Sequence, residues 1–193
     1  VKFINENTGF AVGWKGTIIK TTDSGLTWQK IESSIDTWFL SIDFINKLQG
    51  WIVGNPGNIL FTTDGGFTWN IDNSGVMHNL QKVKFNPGIN TGWIVGGRGI
   101  ILRTIDNGNN WQFQSGGETV HFNALYFIDK DEGWVVGDFG SLLKTTDGGI
   151  TWITVESGTT RHLNHIQFIH NNPNIAWIVG DGGTILHTTN RGE

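Results

Sequence analysis

The chain has 193 residues, with 13 Lys and Arg against 17 Asp and Glu for a formal net charge of −4, and no Cys. Neither sign of charge forms a run, which argues against a nucleic-acid partner, and the lack of thiols excludes disulfides and cysteine chemistry. Within these residues there is no apolar stretch of about 18 residues and no basic start followed by an apolar core, the marks of a membrane span and a signal peptide.

One pattern returns along the chain: Gly-Trp-x-Val-Gly-x-x-Gly, a pair of aliphatic residues, then Thr-x-Asp-x-Gly-x-x-Trp. It runs from Gly9 to Trp28, Gly50 to Trp69, Gly92 to Trp111 and Gly133 to Trp152, and a fifth copy from Ala176 to Glu193 stops before its Trp. The markers Asp23, Asp64, Asp106, Asp147 and Asn190 are spaced by 41, 42, 41 and 43 residues. A period this regular means a repeat protein, with units at about 1–34, 38–75, 79–116, 121–158 and 162–193 in a single domain or part of one.

Inside the second unit, Leu40 to Phe44, Trp51 to Val53, Asn58 to Thr63 and Thr68 to Ile71 are short, β-branched or aromatic, and parted by Gly, Asn, Asp and Pro. Those features predict strands joined by tight turns. The leading strand has counterparts at Gln81 to Phe85, Ala124 to Phe127 and His165 to Phe168. Four strands per repeat predict an all-β fold, a β-propeller of four-stranded antiparallel blades. The 28 Gly suit its turns, and ten Trp with twelve Phe suit the layers between stacked blades. The fifth unit lacks its fourth strand, so Thr184 to Thr189 reads as an open sheet edge. With Val1 already in the innermost strand, the expectation is a fragment of a larger propeller, or a chain completed by another segment or chain.

The turn between the third and fourth strands has a local reason. Asp23, Asp64, Asp106 and Asp147 open it by accepting backbone N–H groups, Gly25, Gly66, Gly108 and Gly149 tolerate positive φ, and Trp28, Trp69, Trp111 and Trp152 pack beneath. Five equivalent positions make a poor active site, so these residues read as structural rather than as calcium ligands. Segments such as Thr63-Asp64-Gly65-Gly66-Phe67-Thr68-Trp69 and Thr146-Asp147-Gly148-Gly149-Ile150-Thr151-Trp152 resemble Asp-boxes, the bacterial neuraminidase repeats. The wider unit from Gly133 to Asp147 resembles the photosystem II assembly and stability factor family and its non-photosynthetic relatives, over the whole chain. That resemblance implies a chaperone-like scaffold, placed outside the cytoplasm, that binds a precursor of a reaction-centre subunit through an Arg-rich patch. Here the Arg residues are Arg98, Arg103, Arg161 and Arg191, dispersed along the sequence.

In an up-and-down blade, the connection leading into the first strand and the turn between the second and third strands share one face, opposite the Asp-boxes. The second-to-third turns read Trp14-Lys15, Asn55-Pro56, Gly97-Arg98, Asp138-Phe139 and Asp181-Gly182 between recurring glycines. The lead-in segments carry Thr37-Trp38, His78-Asn79, Val120-His121 and Arg161-His162. A regular frame thus holds changing chemistry, which is what a binding face needs, although solvent-facing positions also vary freely. The candidate face is Lys15, Trp38, Arg98, His121, Asp138, Arg161, His162 and Asp181.

No cofactor motif, nucleophile elbow, phosphate loop or zinc-peptidase pattern appears. A metal site would need His78, His121, His162 and His165 to converge, and none is expected. A sialidase built from Asp-box blades would use an Arg cluster and a Tyr nucleophile, whereas the lone Tyr126 sits within a strand. A xyloglucan-type glycoside hydrolase would need two facing carboxylates, for which Asp138, Asp181, Asp36 and Asp43 are the candidates. The preferred reading is a non-catalytic scaffold that binds a protein partner, with a glycan as a further partner class. The alternatives are a glycoside hydrolase or carbohydrate-binding propeller, and a structural module of a large surface protein.

Overall fold

The computed structural model describes residues 1–86, 89–117 and 119–192; residues 87 and 88 of the third repeat and Glu193 of the fifth lie outside the described residues. Each repeat folds as one antiparallel meander. The first sheet comprises β1 (Lys2–Phe3), β2 (Gly9–Val12), β3 (Ile18–Thr21) and β4 (Gln29–Ile31). The second comprises β5 (Trp38–Phe44), β6 (Gly50–Asn55), β7 (Asn58–Thr62) and β8 (Asn70–Asn73). Next come β9 (Leu80–Phe85), β10 (Gly92–Gly96), β11 (Ile100–Thr104) and β12 (Gln112–Ser115), then β13 (Phe122–Phe127), β14 (Gly133–Gly137), β15 (Leu142–Thr145) and β16 (Ile153–Thr154). The fifth sheet has β17 (Leu163–Ile169), β18 (Asn172–Gly180) and β19 (Ile185–Thr188). All-β meanders of this kind are propeller blades.

Two compact units make up the chain, one of residues Val1–Ile94 and Thr104–Trp111, the other of Val95–Arg103 and Gln112–Glu193. In the first unit Phe10, Phe44, Ile52, Leu60 and Trp69 are buried in one cluster. The Trp69 ring meets Phe10 and Phe44 edge-on at 6.4 and 6.0 Å. In the second unit Trp134, Leu142, Ile166, Phe168 and Ile178 form the corresponding cluster. Neighbouring blades therefore share each core, because the apolar residues of one sheet face project into the next.

The Asp-box turn is built on hydrogen bonds between a Thr and an Asp two residues apart. Thr62 Oγ1 donates to Asp64 Oδ1 at 2.8 Å and accepts the Gly66 amide at 3.0 Å. The Asp64 carboxylate also takes the Thr68 hydroxyl at 2.6 Å and the amides of Phe67 and Thr68. Thr68 and Trp69 thus belong to the turn rather than to the fourth strand, which begins at Asn70. The same bonds recur at Thr21–Asp23–Thr27, Thr104–Asp106–Asn110 and Thr145–Asp147–Thr151. In the fifth sheet Thr188 Oγ1 donates to Asn190 Oδ1 at 2.6 Å, so an amide fills the place of the carboxylate.

The turn also fastens one blade to the previous one. A Cβ on Gly66 would stand 2.5 Å from the Phe10 ring, one on Gly108 2.5 Å from Trp51, and one on Gly192 2.8 Å from Trp134. Lys20 Nζ donates to the Gly65 carbonyl at 2.9 Å, and Arg103 Nε to the Gly148 carbonyl at 2.8 Å. Asp43, a candidate for catalysis on sequence grounds, is buried in this framework. It pairs with Lys2 at 2.7 Å and accepts the Phe85 amide at 2.8 Å, so it serves packing rather than chemistry.

Gly66 (φ 77°) and Gly75 (φ 71°) share left-handed backbone, yet a Cβ on Gly75 would meet nothing within 4 Å. Gly75→Ala is therefore expected to cost about 1 kcal/mol and Gly66→Ala about 2–4 kcal/mol, which chemical denaturation of the two variants measures. Equal losses would remove the ring contact from the account.

Thr27 and Thr68 hydroxyls, followed by their amides, hold the Asp23 and Asp64 carboxyls down to about 2 from an ordinary 3.8. At Asp147, burial pushes upward, but Thr151 outweighs it and the carboxyl again lies at about 2. A depressed carboxyl contributes stability that is complete above about pH 4 and is lost as pH falls through about 2. Melting temperatures measured from pH 7 to pH 2 should drop over that window, and the drop should be shallower for Asp23→Asn/Asp64→Asn/Asp147→Asn; parallel curves would contradict the linkage.

Candidate functional site

At the other end of the strands, the second-to-third turns of the first and third sheets are stapled by their backbone to the following lead-in segment. The Gly16 amide donates to Thr37 O at 2.7 Å, and the Gly99 amide to Val120 O at 2.6 Å. A Cβ on Gly16 or Gly140 would overlap the carbonyl of Ile35 or Thr159. The glycines therefore recur because two chain segments meet at backbone distance. The side chains beside them remain free to differ.

Each such meeting forms a slot between one turn residue and one lead-in residue. In the first unit the slot pairs Trp14 with Trp38, whose rings stand edge-to-face at 5.6 Å. They are 65% and 52% exposed and border a recess of about 300 Å³ floored by Phe39 and Leu40. Trp38 is the first residue of β5 rather than a loop residue, since its strand pairs as far as Asn55. Lys15 beside it is exposed, and Asp36 is exposed near Lys15 along a second recess.

In the second unit the equivalent slot pairs Asp138 with His162. His162 Nδ1 lies 2.9 Å from Asp138 Oδ1, at ion-pair distance but off hydrogen-bond alignment. Asn123 Nδ2 donates to the same Oδ1 at 3.0 Å and to Leu163 O at 3.1 Å. Phe139 lies over the His162 ring at 5.0 Å between centroids. The motif repeats in the fifth sheet, where Asn164 Nδ2 donates to Asp181 Oδ1 at 2.6 Å. The amides of Asp138 and Asp181 donate to His121 O and His162 O, both at 2.9 Å. Arg161 lies alongside Gly182, where a Cβ would stand 3.6 Å from its Nε.

Within the second unit, then, Arg98, His121, Asp138, Phe139, Arg161, His162 and Asp181 belong to one succession of touching loops. Lys15 and Trp38 belong to the first unit with Trp14. Phe139, Trp14, Asn123 and Asn164 were outside the sequence-derived set. Their repeat positions were the available signal, because Asn123 and Asn164 stand at equal places in successive units, as do Asp138 and Asp181.

The four Arg divide by role. Arg103 donates to the Gly148 carbonyl, and Arg191 pairs with Glu132 at 2.9 Å, whereas Arg98 and Arg161 are exposed on the loops. Lys15, Arg98 and Phe139 occupy one turn position with left-handed φ of 53°, 56° and 56°, the place Gly182 takes with φ 64°. A residue with a Cβ costs about 1–2 kcal/mol there. Tyr126 packs on the Phe168 ring at 5.2 Å, inside the sheet stack. Among the described residues, no three His, Cys, Asp or Glu side chains gather in a way that could hold a metal ion. No helix among them is long and apolar enough to cross a membrane.

The family model described as photosynthesis system II assembly factor YCF48 matches residues 1–74 and 119–193. No curated protein matches the chain. Among solved structures, a YCF48 bound to D1 peptide is 22% identical over 96% of this chain and 91% of its own, with a TM-score of 0.52. YCF48 from Cyanidioschyzon merolae is 16% identical, covering 94% of this chain and 66% of its own, with a TM-score of 0.74. The GH74 enzyme of Niastella koreensis is 15% identical over 98% of this chain but only 36% of its own, at a TM-score of 0.77. At such identities these likenesses speak for the propeller fold alone. The family match over both repeat-rich stretches, together with the Asp-box blades, makes this chain a member of the photosynthesis system II assembly factor YCF48 family.

Proposed function

We propose that the chain is a non-catalytic, extracytoplasmic scaffold that holds a protein partner on the slot face of its second unit. The observation that carries this reading is the strained turn position: Arg98 and Phe139 stand in left-handed backbone, beside exposed Arg161 and the His162 ring. A side chain kept at such a cost is a pointer to function rather than to packing. The mechanism is preorganisation. Backbone staples order the loops when the blades fold, so little further entropy is lost on binding, and aromatic and Arg side chains supply anchors. A YCF48 bound to D1 peptide provides a precedent for a propeller of this family taking a polypeptide. The extracytoplasmic setting is carried over from the family resemblance.

A glycan-directed reading has one observation in its favour, the exposed Trp14–Trp38 pair, since flat aromatic faces suit sugar rings; the GH74 likeness adds a fold precedent. Hydrolysis is less well supported. Asp138 and Asp181 both hold Asn side chains, as turn-forming aspartates do.

Cross-linking capture from the native cell envelope, read by mass spectrometry, should recover a protein partner with the unaltered chain and about tenfold less of it with Arg98→Ala/Arg161→Ala. Melting temperature should be unchanged in that variant, because both side chains are exposed. Equal recovery would remove this face from the proposal. Release of reducing sugar from a β-glucan, abolished by Asp138→Asn/Asp181→Asn, would replace the scaffold with the hydrolase.

A further inference from the structure

The lead strands of the first three sheets carry charge at one repeated place. Phe3, Phe44 and Phe85 correspond, since a Cβ on Gly9, Gly50 or Gly92 would stand 2.8, 2.5 or 2.5 Å from their rings. The residues before them are Lys2, Asp43 and Lys84, spaced by 41 residues each time. Lys82 comes two positions before Lys84 in β9 and so lies on the same side of that strand.

Asp43 draws these strands together. Its Oδ1 takes Lys2 Nζ at 2.7 Å and its Oδ2 accepts the Phe85 amide at 2.8 Å, so both oxygens are engaged. Lys82 and Lys84 are half-buried beside it, and among the described residues neither has an ion pair of its own. Burial pushes the Lys82 ammonium below its ordinary 10.5. The Asp43 charge pulls it up and the Lys84 and Lys2 charges push it down again, so all four groups lie within electrostatic reach in the first unit. Three ammoniums around one carboxylate are a poor device for packing, because a charge that gives up water without a counterion costs stability.

We propose that Lys2, Lys82 and Lys84 form a binding site for a dianionic oxyanion of the phosphate class. Three positive charges less the one on Asp43 leave an excess of two, which a dianion neutralises and a monoanion does not. Lysine suits such a ligand, since its ammonium is a point charge with three rotatable donors. The site lies on the lead strands of the first unit and stands or falls independently of the slot face of the second.

Titration calorimetry of the whole chain with sodium phosphate is the test, at constant ionic strength and about pH 8, where a phosphate group carries close to two charges. Saturable binding is expected, weaker by at least about tenfold in Lys82→Gln/Lys84→Gln, and weaker by as much when acetate replaces phosphate. Lys30→Gln/Lys47→Gln removes two exposed lysines elsewhere and should bind as the unaltered chain does. In phosphate-free buffer Lys82→Gln/Lys84→Gln should melt no lower than the unaltered chain, because crowded like charges are gone. Added phosphate should then raise the melting temperature of the unaltered chain and not that of this variant. Glycerol phosphate separates the sources of the group: binding like that of inorganic phosphate means that a phosphate carried on a larger molecule is accepted, and binding of inorganic phosphate alone means that the free ion is the ligand. No saturation by either up to about 10 mM, or equal binding by acetate or by Lys82→Gln/Lys84→Gln, would overturn the proposal. So would a lowered melting temperature of that variant without phosphate, which would assign the lysines to packing.

Discussion

A glycine pressed against an aromatic ring is the contact on which the rest of the molecule depends. Gly66 on Phe10, Gly108 on Trp51 and Gly192 on Trp134 are the places where one blade's turn reaches the preceding blade's core. The contact requires a turn that carries no Cβ and keeps a positive φ. Such a turn holds its shape because a Thr hydroxyl, itself held by an Asp carboxylate or in the fifth sheet by the Asn190 amide, accepts the glycine's backbone N–H. The polar box and the apolar core are thus one device. That explains why a half-buried carboxylate recurs with the regularity of a core residue, and why its protonation bears on stability.

Fixing the blades at that end leaves the other end free. There the turns and lead-in segments are joined through backbone groups, Gly16 to Thr37 and Gly99 to Val120, so these joins do not depend on which side chains stand beside them. One slot accordingly holds Trp14 against Trp38, and its equivalent holds Asp138 against His162. Rigidity and variability coexist because they reside in different atoms of the same residues. A surface built in this way can change its partner by substitution without changing the fold.

Much of this was legible in the sequence. The period of 41 to 43 residues and the punctuated strands led to the blades, and the Asp-box spacing led to the turn. What escaped were relations across the period. Asp43 looks like any strand aspartate until Lys2 and the Phe85 amide close around it from neighbouring blades. Arg103 and Arg98 cannot be told apart by type, yet one spans to the next Asp-box and the other stands in solvent. Thr68 and Trp69 carry strand-like residue types, but the Asp64 carboxylate holds Thr68 in the turn and the strand begins only after Trp69. The slot pairings were hidden for the same reason, because each joins residues some 24 positions apart whose types differ from one repeat to the next.

The central claim is that partners are held by the stapled loops and not by the Asp-box end. Hydrogen–deuterium exchange of the whole chain, with and without a D1 peptide as probe, tests it most directly. The account predicts slowed exchange in segments 97–99, 120–123, 138–140, 160–164 and 181–183, with the Asp-box turns unchanged. Slowing confined to the Asp-box turns, or none at saturating peptide, would contradict it.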